Sequence, residues 1–277
     1  MKKILVPIDF SDHSAYALEV AASLAHDNSS EIVVLHMMGL SQATLTTEES
    51  GAAEAIYYMK LVKKRFSEFL DRDYLKGIKV SQTVQNYKKF SEINNVAQEQ
   101  DADLIVMGSH GVSGLSEPFV GSNTEKVVRT SDIPVLVIKE RIKGFNIREV
   151  VFACDFKIEN IRAYLNAMNL FKELGANIHL VYVNLPNEHF KSTTALDVLV
   201  EDFLYVSDKG DMANLDKVIY QCDYTVEDGI YNYSKKIGAD LIAIPTHGRR
   251  GLSHFFMGSK AEDIANHATY PVMTFRI

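Results

Sequence analysis

The sequence predicts an α/β protein built as two tandem doubly wound domains, each an open parallel sheet flanked by helices. Three observations predict it: the chain repeats itself once, its strand-like runs are apolar without alternation, and helix-period segments separate those runs. "KKILVPIDF" (Lys2 to Phe10) aligns with "REVVFACDF" (Arg148 to Phe156), setting Asp9 opposite Asp155. At the same offset "SEIVVLHMM" (Ser30 to Met38) aligns with "ANIHLVYVN" (Ala176 to Asn184). "DADLIVMGSHG" (Asp101 to Gly111) matches "GADLIAIPTHG" (Gly238 to Gly248), and "SDIPVLVIK" (Ser131 to Lys139) matches "ATYPVMTFR" (Ala268 to Arg276). The later pairs share a smaller offset, so the second copy has lost residues in its middle. The halves divide as residues 1–142 and 147–277, joined near "ERIKGFNI" (Glu140 to Ile147).

Ile4–Ile8, Ile32–Met37, Leu104–Met107 and Val135–Ile138 are short apolar runs, as strands buried on both faces of a parallel sheet should be. Between the first two, Ala17, Leu18, Ala21, Leu24 and Ala25 form one apolar stripe, with Ser11 or Asp12 available as the cap. "EAIYYMKLVKKRFSEFLD" is a second helix, with Ile56, Met59, Val62, Phe66 and Phe69 on one side. Ser91 opens a third, whose Ile93, Val96 and Ala97 face inward, and Asp228 opens its counterpart. Such alternation implies right-handed crossovers and ligands bound beyond the strands' carboxyl ends, where the strand order reverses.

Gly108 follows directly on "LIVM", so the segment "GSHGVSGLSEPFVGSNT" (Gly108 to Thr124) starts where a ligand would lie. Glycine there permits positive φ and lets backbone amides approach a ligand. After Gly121 a helix begins, capped by Ser122 or Asn123, with Val127 and Val128 facing the core. Its first amides are unpaired and carry the positive end of the helix dipole, so two separated glycine turns can cradle a polyphosphate. The Ser122 and Thr124 hydroxyls can add bonds to it. Glycine spacings alone are weak signals, and a plain surface loop explains them about as well. Asp9 ends the first strand on the same rim, placed to take a ribose hydroxyl, a base edge or a metal, or simply to cap the next helix.

The pattern G-x-x-G, nine residues, G-S, with an aspartate closing the first strand and "DLIVMGSHG" leading into the loop, resembles the universal stress protein family over nearly the whole chain, as two copies. The resemblance implies a five-stranded parallel sheet of the adenine nucleotide α-hydrolase-like kind in each half. It also implies ATP held with Mg2+ or Mn2+. By position it implies that the adenine and ribose meet Pro7, Ile8, Asp9 and the backbone at Met37. The ribose and phosphates would meet Met107, Gly108, Gly111, Gly121, Ser122, Asn123 and Thr124. It further implies pairing through the last strands, either within one chain as a pseudo-dimer of "VLVI" and "VMTF" or as a homodimer.

The second copy departs from this pattern. Pro245 replaces the first loop glycine, removing an N–H and occupying space a ligand's backbone contacts would need. Lys260 and Ala261 stand where Asn123 and Thr124 were, while Asp155, Gly248, Gly258 and Ser259 remain as a degenerate second site. With Arg249, Arg250 and nearby His247 and His254, it reads either as a decayed site or as an anion site rebuilt from side-chain charge. The segment Leu185–Asp211, with Phe190, Phe203 and Tyr205, either covers this pocket or closes the core.

With 277 residues, 47% apolar, the chain is long enough for two domains, and its formal charge of −7 argues against a non-specific nucleic-acid binder. Cys154 and Cys222 form no CxxC and read as two half-buried thiols of a reduced, cytoplasmic protein. No run approaches the ~18 apolar residues of a membrane span. There is no GxxxxGK[ST] loop, GxSxG elbow or HExxH, so no metal site and no organised catalytic set is expected. His110 reads as a phosphate-facing group or as part of the loop's geometry, and His36 as a satisfied core or rim histidine. The leading reading is a nucleotide-binding stress-response module that senses or signals through ATP occupancy. A slow ATPase or phosphotransferase acting on a loop serine such as Ser113 or Ser116, and a nucleotide-free scaffold, are the alternatives.

Overall fold

The computed structural model describes residues 1–37, 50–85, 92–109, 122–246 and 270–277. The first half runs β1 (Lys3–Ile8), α1 (Asp12–Asn28), β2 (Glu31–Met37), α2 (Ser50–Leu70), β3 (Val80–Gln85), α3 (Ile93–Glu99), β4 (Leu104–Gly108), α4 (Ser122–Thr130) and β5 (Val135–Ile138). The second runs β6 (Glu149–Ala153), α5 (Ile161–Glu173), β7 (Asn177–Asn184), α6 (Thr193–Ser207), β8 (Val218–Cys222), α7 (Val226–Ile237), β9 (Leu241–Thr246) and β10 (Val272–Arg276).

The strands form one ten-stranded sheet in the order β3-β2-β1-β4-β5-β10-β9-β6-β7-β8. Each half is a parallel doubly wound sheet with the order reversing between its first and fourth strands. The halves meet at β5 and β10, which run antiparallel with Val272 opposite Val137, Met273 opposite Leu136 and Thr274 opposite Val135. β4 and β5 are buried at every position, which is why these strands lack an alternating pattern. The seam removes two apolar edges that would otherwise stand open. Polar contacts stitch across it: Arg276 Nη1 donates to Asp132 Oδ1 at 3.0 Å and to the Thr130 carbonyl at 3.1 Å.

The sheet separates two apolar layers. One packs α1, α2, α5 and α6 against residues such as Ile4, Val6, Val150 and Phe152. The other packs α3, α4 and α7 against Leu5, Ile105, Val151 and Ile242. Ser11 caps α1, its hydroxyl accepting from the Ser14 amide. In α7 the cap is Thr225, not Asp228: Thr225 Oγ1 accepts from the Asp228 amide and donates to Asp228 Oδ2 at 2.7 Å. Asp228 thus sits inside the first turn, three residues after the cap, and two capping-type residues so close together make the cap hard to assign from sequence. In α2, Val62, Phe66 and Phe69 are buried as expected, but Ile56 is 58% exposed. A 21-residue helix is about 30 Å long, whereas the seven-residue strand β2 beneath spans about 23 Å, so the first turns of α2 overhang the core. The thiols are not alike either: Cys154 is buried and Cys222 exposed.

A repeated device anchors each sheet at its amino end. Asp103 Oδ2 accepts from the Lys3 amide at 3.0 Å, and Asp240 Oδ2 accepts from the Arg148 and Glu149 amides at 2.9 Å each. The "AD" before β4 and β9 is therefore structural in both copies.

Candidate functional site

The crevice of the first half lies at the carboxyl ends of β1 and β4. β1 stays paired with β2 as far as Ile8 opposite His36, but pairs with β4 only through Ile4–Leu104 and Leu5–Ile105. Beyond these residues the two strands part, and Pro7, lacking an N–H, contributes no further donor there. Pro7 and Ile8 end β1, Met107 and Gly108 end β4, and Met37 ends β2 opposite Gln85.

Asp9 follows β1 directly, and its Oδ1 accepts from the Ser11 amide at 3.0 Å. The turn needs a left-handed residue, and that residue is Phe10, at φ 66°. The strain of such a backbone, about 1–3 kcal/mol, is offset by the packing it allows. The Phe10 ring stands 4.6 Å from His36 and makes edge contacts with Phe66 at 5.4 Å and Phe69 at 5.6 Å. His36 Nδ1 donates to the Ile8 carbonyl at 3.0 Å, and burial holds its pKa below the usual histidine value, so it remains a neutral strut beneath Asp9. The second half repeats the turn: Phe156 has φ 53°, and the Lys157 amide donates to Asp155 Oδ1 at 3.2 Å. Sequence reasoning took the aspartate and passed over the phenylalanine, although "DF" stands at the same place in both copies.

Gly108 is glycine for a reason other than the one its position suggested. Its φ is not in the left-handed region, and a Cβ there would lie 2.7 Å from the carbonyl carbon and oxygen of His13. The first turn of α1 lies directly on the end of β4, and no side chain fits between them. Thr124, buried and in the first turn of α4, donates from Oγ1 to the Gly108 carbonyl at 2.9 Å. That bond ties together the two ends of the glycine loop. Ser122 is the first residue of α4, so it is not the cap; the residue before it, like Gly111, His110, Ser113, Ser116 and Gly121, lies outside the described residues. Asn123 is half-buried beside Thr124. The structure thus brings Asp9, the start of the loop and the amino end of α4 to one rim.

The corresponding rim of the second half holds a cleft of about 460 Å3. Asp155 lines it, but the carboxylate is already engaged: Lys157 Nζ lies 2.9 Å away and Asn160 Nδ2 also donates to it. Burial pushes the Cys154 thiol up to about 12, so it is an inert wall. Pro245 lines the cleft from within β9, opposite Phe275. Residues Leu185 to Lys191 form its rim, pinned where the Asn184 amide donates to the Lys191 carbonyl at 2.9 Å and accepts from its N–H at 3.0 Å. Of the three aromatics in this segment, Phe190 lines the cleft, Phe203 is in the core and Tyr205 faces outward. Gly248, Gly258, Ser259, His247, His254, Arg249, Arg250, Lys260 and Ala261 lie outside the described residues.

The sequence profile of the universal stress protein family matches twice, over residues 1–139 and 146–276. The chain belongs to the universal stress protein family. Single-domain universal stress proteins match half of it: YxiE of Bacillus subtilis is 34% identical over 146 residues, covering 50% of this chain and 98% of the relative. MJ0577 of Methanocaldococcus jannaschii is 29% identical over 162 residues, covering 50% of this chain and 96% of the relative. A universal stress protein from Archaeoglobus fulgidus superposes over 99% of this chain and 96% of its own, with a TM-score of 0.60 at 21% identity. That likeness speaks to the fold. The two-domain universal stress protein architecture and the mostly parallel sheet follow from these findings together. Among the described residues no helix is long and apolar enough to cross a membrane.

Proposed function

We propose that this universal stress protein is a nucleotide-dependent sensing module that holds one ATP in its first half. The observation that carries the reading is the bond from Thr124 to Gly108, which closes the glycine loop on itself at the crevice beside Asp9. The same bond brings the amino end of the nine-residue α4 to the carboxyl end of β4, and the unpaired first amides of a helix are suited to an anion. Asp9 serves the ribose or a cation. No group of three or more His, Cys, Asp or Glu among the described residues could hold a metal, so Mg2+ or Mn2+ would be held chiefly through the nucleotide's phosphates.

In the second half the equivalent carboxylate is neutralised by Lys157, and a proline replaces the first glycine. Both changes oppose the same ligand there. Calorimetric titration of the whole chain, first freed of any co-purified nucleotide, with ATP and magnesium tests the proposal, using Asp9→Asn as the probe. The amide keeps the Oδ1 acceptor for Ser11 and removes only the charge. Saturable binding that weakens about tenfold, or about 1.4 kcal/mol, is expected. Absence of binding, or equal affinity in the variant, contradicts the role given to this crevice.

A further inference from the structure

The cleft of the second half has the size of a ligand site but not the chemistry of the nucleotide site that the repeat would place there. Its volume of about 460 Å3 lies in the range that small-molecule sites occupy. The walls are apolar and come from three elements: Val181 and Val183 of β7, Ile244 and Pro245 of β9, and Val226 and Ile230 of α7. Two of these residues replace a glycine and a lysine, since the repeat sets Pro245 against Gly108 and Val226 against Lys89. In the first half no side chain fits at Gly108, because a Cβ there would meet His13. The second half is built differently at this point. Asp12, the first residue of α1, aligns with Ile158, where the chain makes a 3-10 turn over Ile158–Asn160, and α5 begins only at Ile161. Asn160 from that turn and Pro245 both line the cleft.

Among the described residues nothing on this lining answers a phosphate. Lys157 already cancels Asp155, and of the other charged side chains Glu188 is acidic and Lys191 basic, so no positive excess remains. The amino end of α7 reaches the cleft at Val226, but Glu227 and Asp228 follow in its first turn and Thr225 caps it, so its dipole is already met. An anion would leave water here for no counter-charge, whereas an apolar body would cover surface that water now wets. The rim is held in place beforehand. Asn184 fixes Lys191 by two bonds, and the segment between them contains a 3-10 turn, Asn187–His189. A held rim spares a ligand the cost of ordering it. On that rim Phe190 is 61% exposed and also lines the cleft, offering its ring to an incoming ring. We infer that the second half binds an uncharged aromatic small molecule in this cleft, packed against Phe190 and the apolar walls. The inference stands apart from the nucleotide reading of the first half, and each can fail without the other.

Fluorescence titration of the full chain with N-phenylnaphthylamine, an uncharged aromatic probe that brightens on leaving water, tests the inference. Saturable binding of one probe per chain is expected, unchanged by ATP with magnesium and unchanged in Asp9→Asn. Phe190→Ala should weaken it about fivefold to tenfold through the lost ring contact. Val226→Asp, which sets a carboxylate on the wall, should weaken it at least about tenfold. Anilinonaphthalene sulfonate, the same rings with a negative charge added, should also bind at least about tenfold more weakly than the uncharged probe. Phe190 and Val226 are both exposed, and unchanged thermal unfolding checks that the variants fold. If Val226→Asp does not, Phe190→Ala and the sulfonated probe still read the site. Absence of saturable binding overturns the inference. So does displacement by ATP or tighter binding of the sulfonate, either of which would make the cleft an anion site. Equal binding in the folded variants would place the probe elsewhere and overturn it as well.

Discussion

Gly108→Ala is expected to destabilise the protein by about 3 kcal/mol, the upper end of what one added methyl costs in a packed interior. The new Cβ would meet the His13 carbonyl carbon and oxygen at 2.7 Å and its Cβ at 2.8 Å. Two of these are backbone atoms of a helix whose next residues, Ser14, Ala17 and Leu18, are buried, so no side chain can turn aside to make room. The helix itself has to move off β4. Gly229→Ala meets a second such obstacle: its Cβ would lie 2.6 Å from Val183 Cγ1 and 2.8 Å from Cγ2, both methyls of a β-branched side chain that is stiff at χ1. Alanine suits a helix interior better than glycine by about 0.5–1 kcal/mol, which offsets part of the cost. That variant should lose about 1–2 kcal/mol, less than Gly108→Ala, because no backbone has to move. Urea midpoints of the two variants check the order, and a Gly108→Ala protein as stable as wild type would show that α1 does not rest on β4 as described.

Met273→Asp is expected to open the seam between the halves. Met273 and its partner Leu136 are both 0% exposed, and among the described residues three strand pairs align across the seam. An unpaired carboxylate there has no water and no donor, at a cost of several kcal/mol, about 4 or more. Met273→Leu, which conserves volume, should lose less than about 1.5 kcal/mol. Amide exchange over Val135–Ile138 and Val272–Arg276 is the readout, because the antiparallel bonds protect both strands. Faster exchange in both strands of the aspartate variant, with β1 and β2 still protected, is the expected pattern. Uniform protection across the sheet would contradict a seam held by these residues.

Much of the fold was legible because parallel strands buried on both faces leave unbroken apolar runs, and duplication marks the same runs twice. β1, β2, β4 and β5 fall within a residue of the expected segments. What the sequence hid is non-local. Nothing adjacent to Gly108 in the chain reveals that His13 will lie against it. The left-handed Phe10 and Phe156 are invisible to residue preference, which disfavours that backbone for a bulky side chain; tertiary packing against Phe66 and Phe203 overrides it. Thr124 was placed at the site, but its bond to the Gly108 carbonyl is a contact that spacing does not announce. Likewise the rim of the second cleft depends on Asn184 pinning Lys191, a contact that spacing alone does not announce.

The central claim is one nucleotide per chain, in the first half. Its most direct test is to denature freshly purified protein and quantify released nucleotide per chain by chromatography, with saturation by added ATP and magnesium if the preparation is partly empty. The account predicts one equivalent of unhydrolysed ATP, reduced in Asp9→Asn and retained when Lys157 is changed to alanine. Two equivalents would mean that the second half accepts the nucleotide despite Pro245 and the Asp155–Lys157 pair. No nucleotide, before or after saturation, would contradict the claim outright.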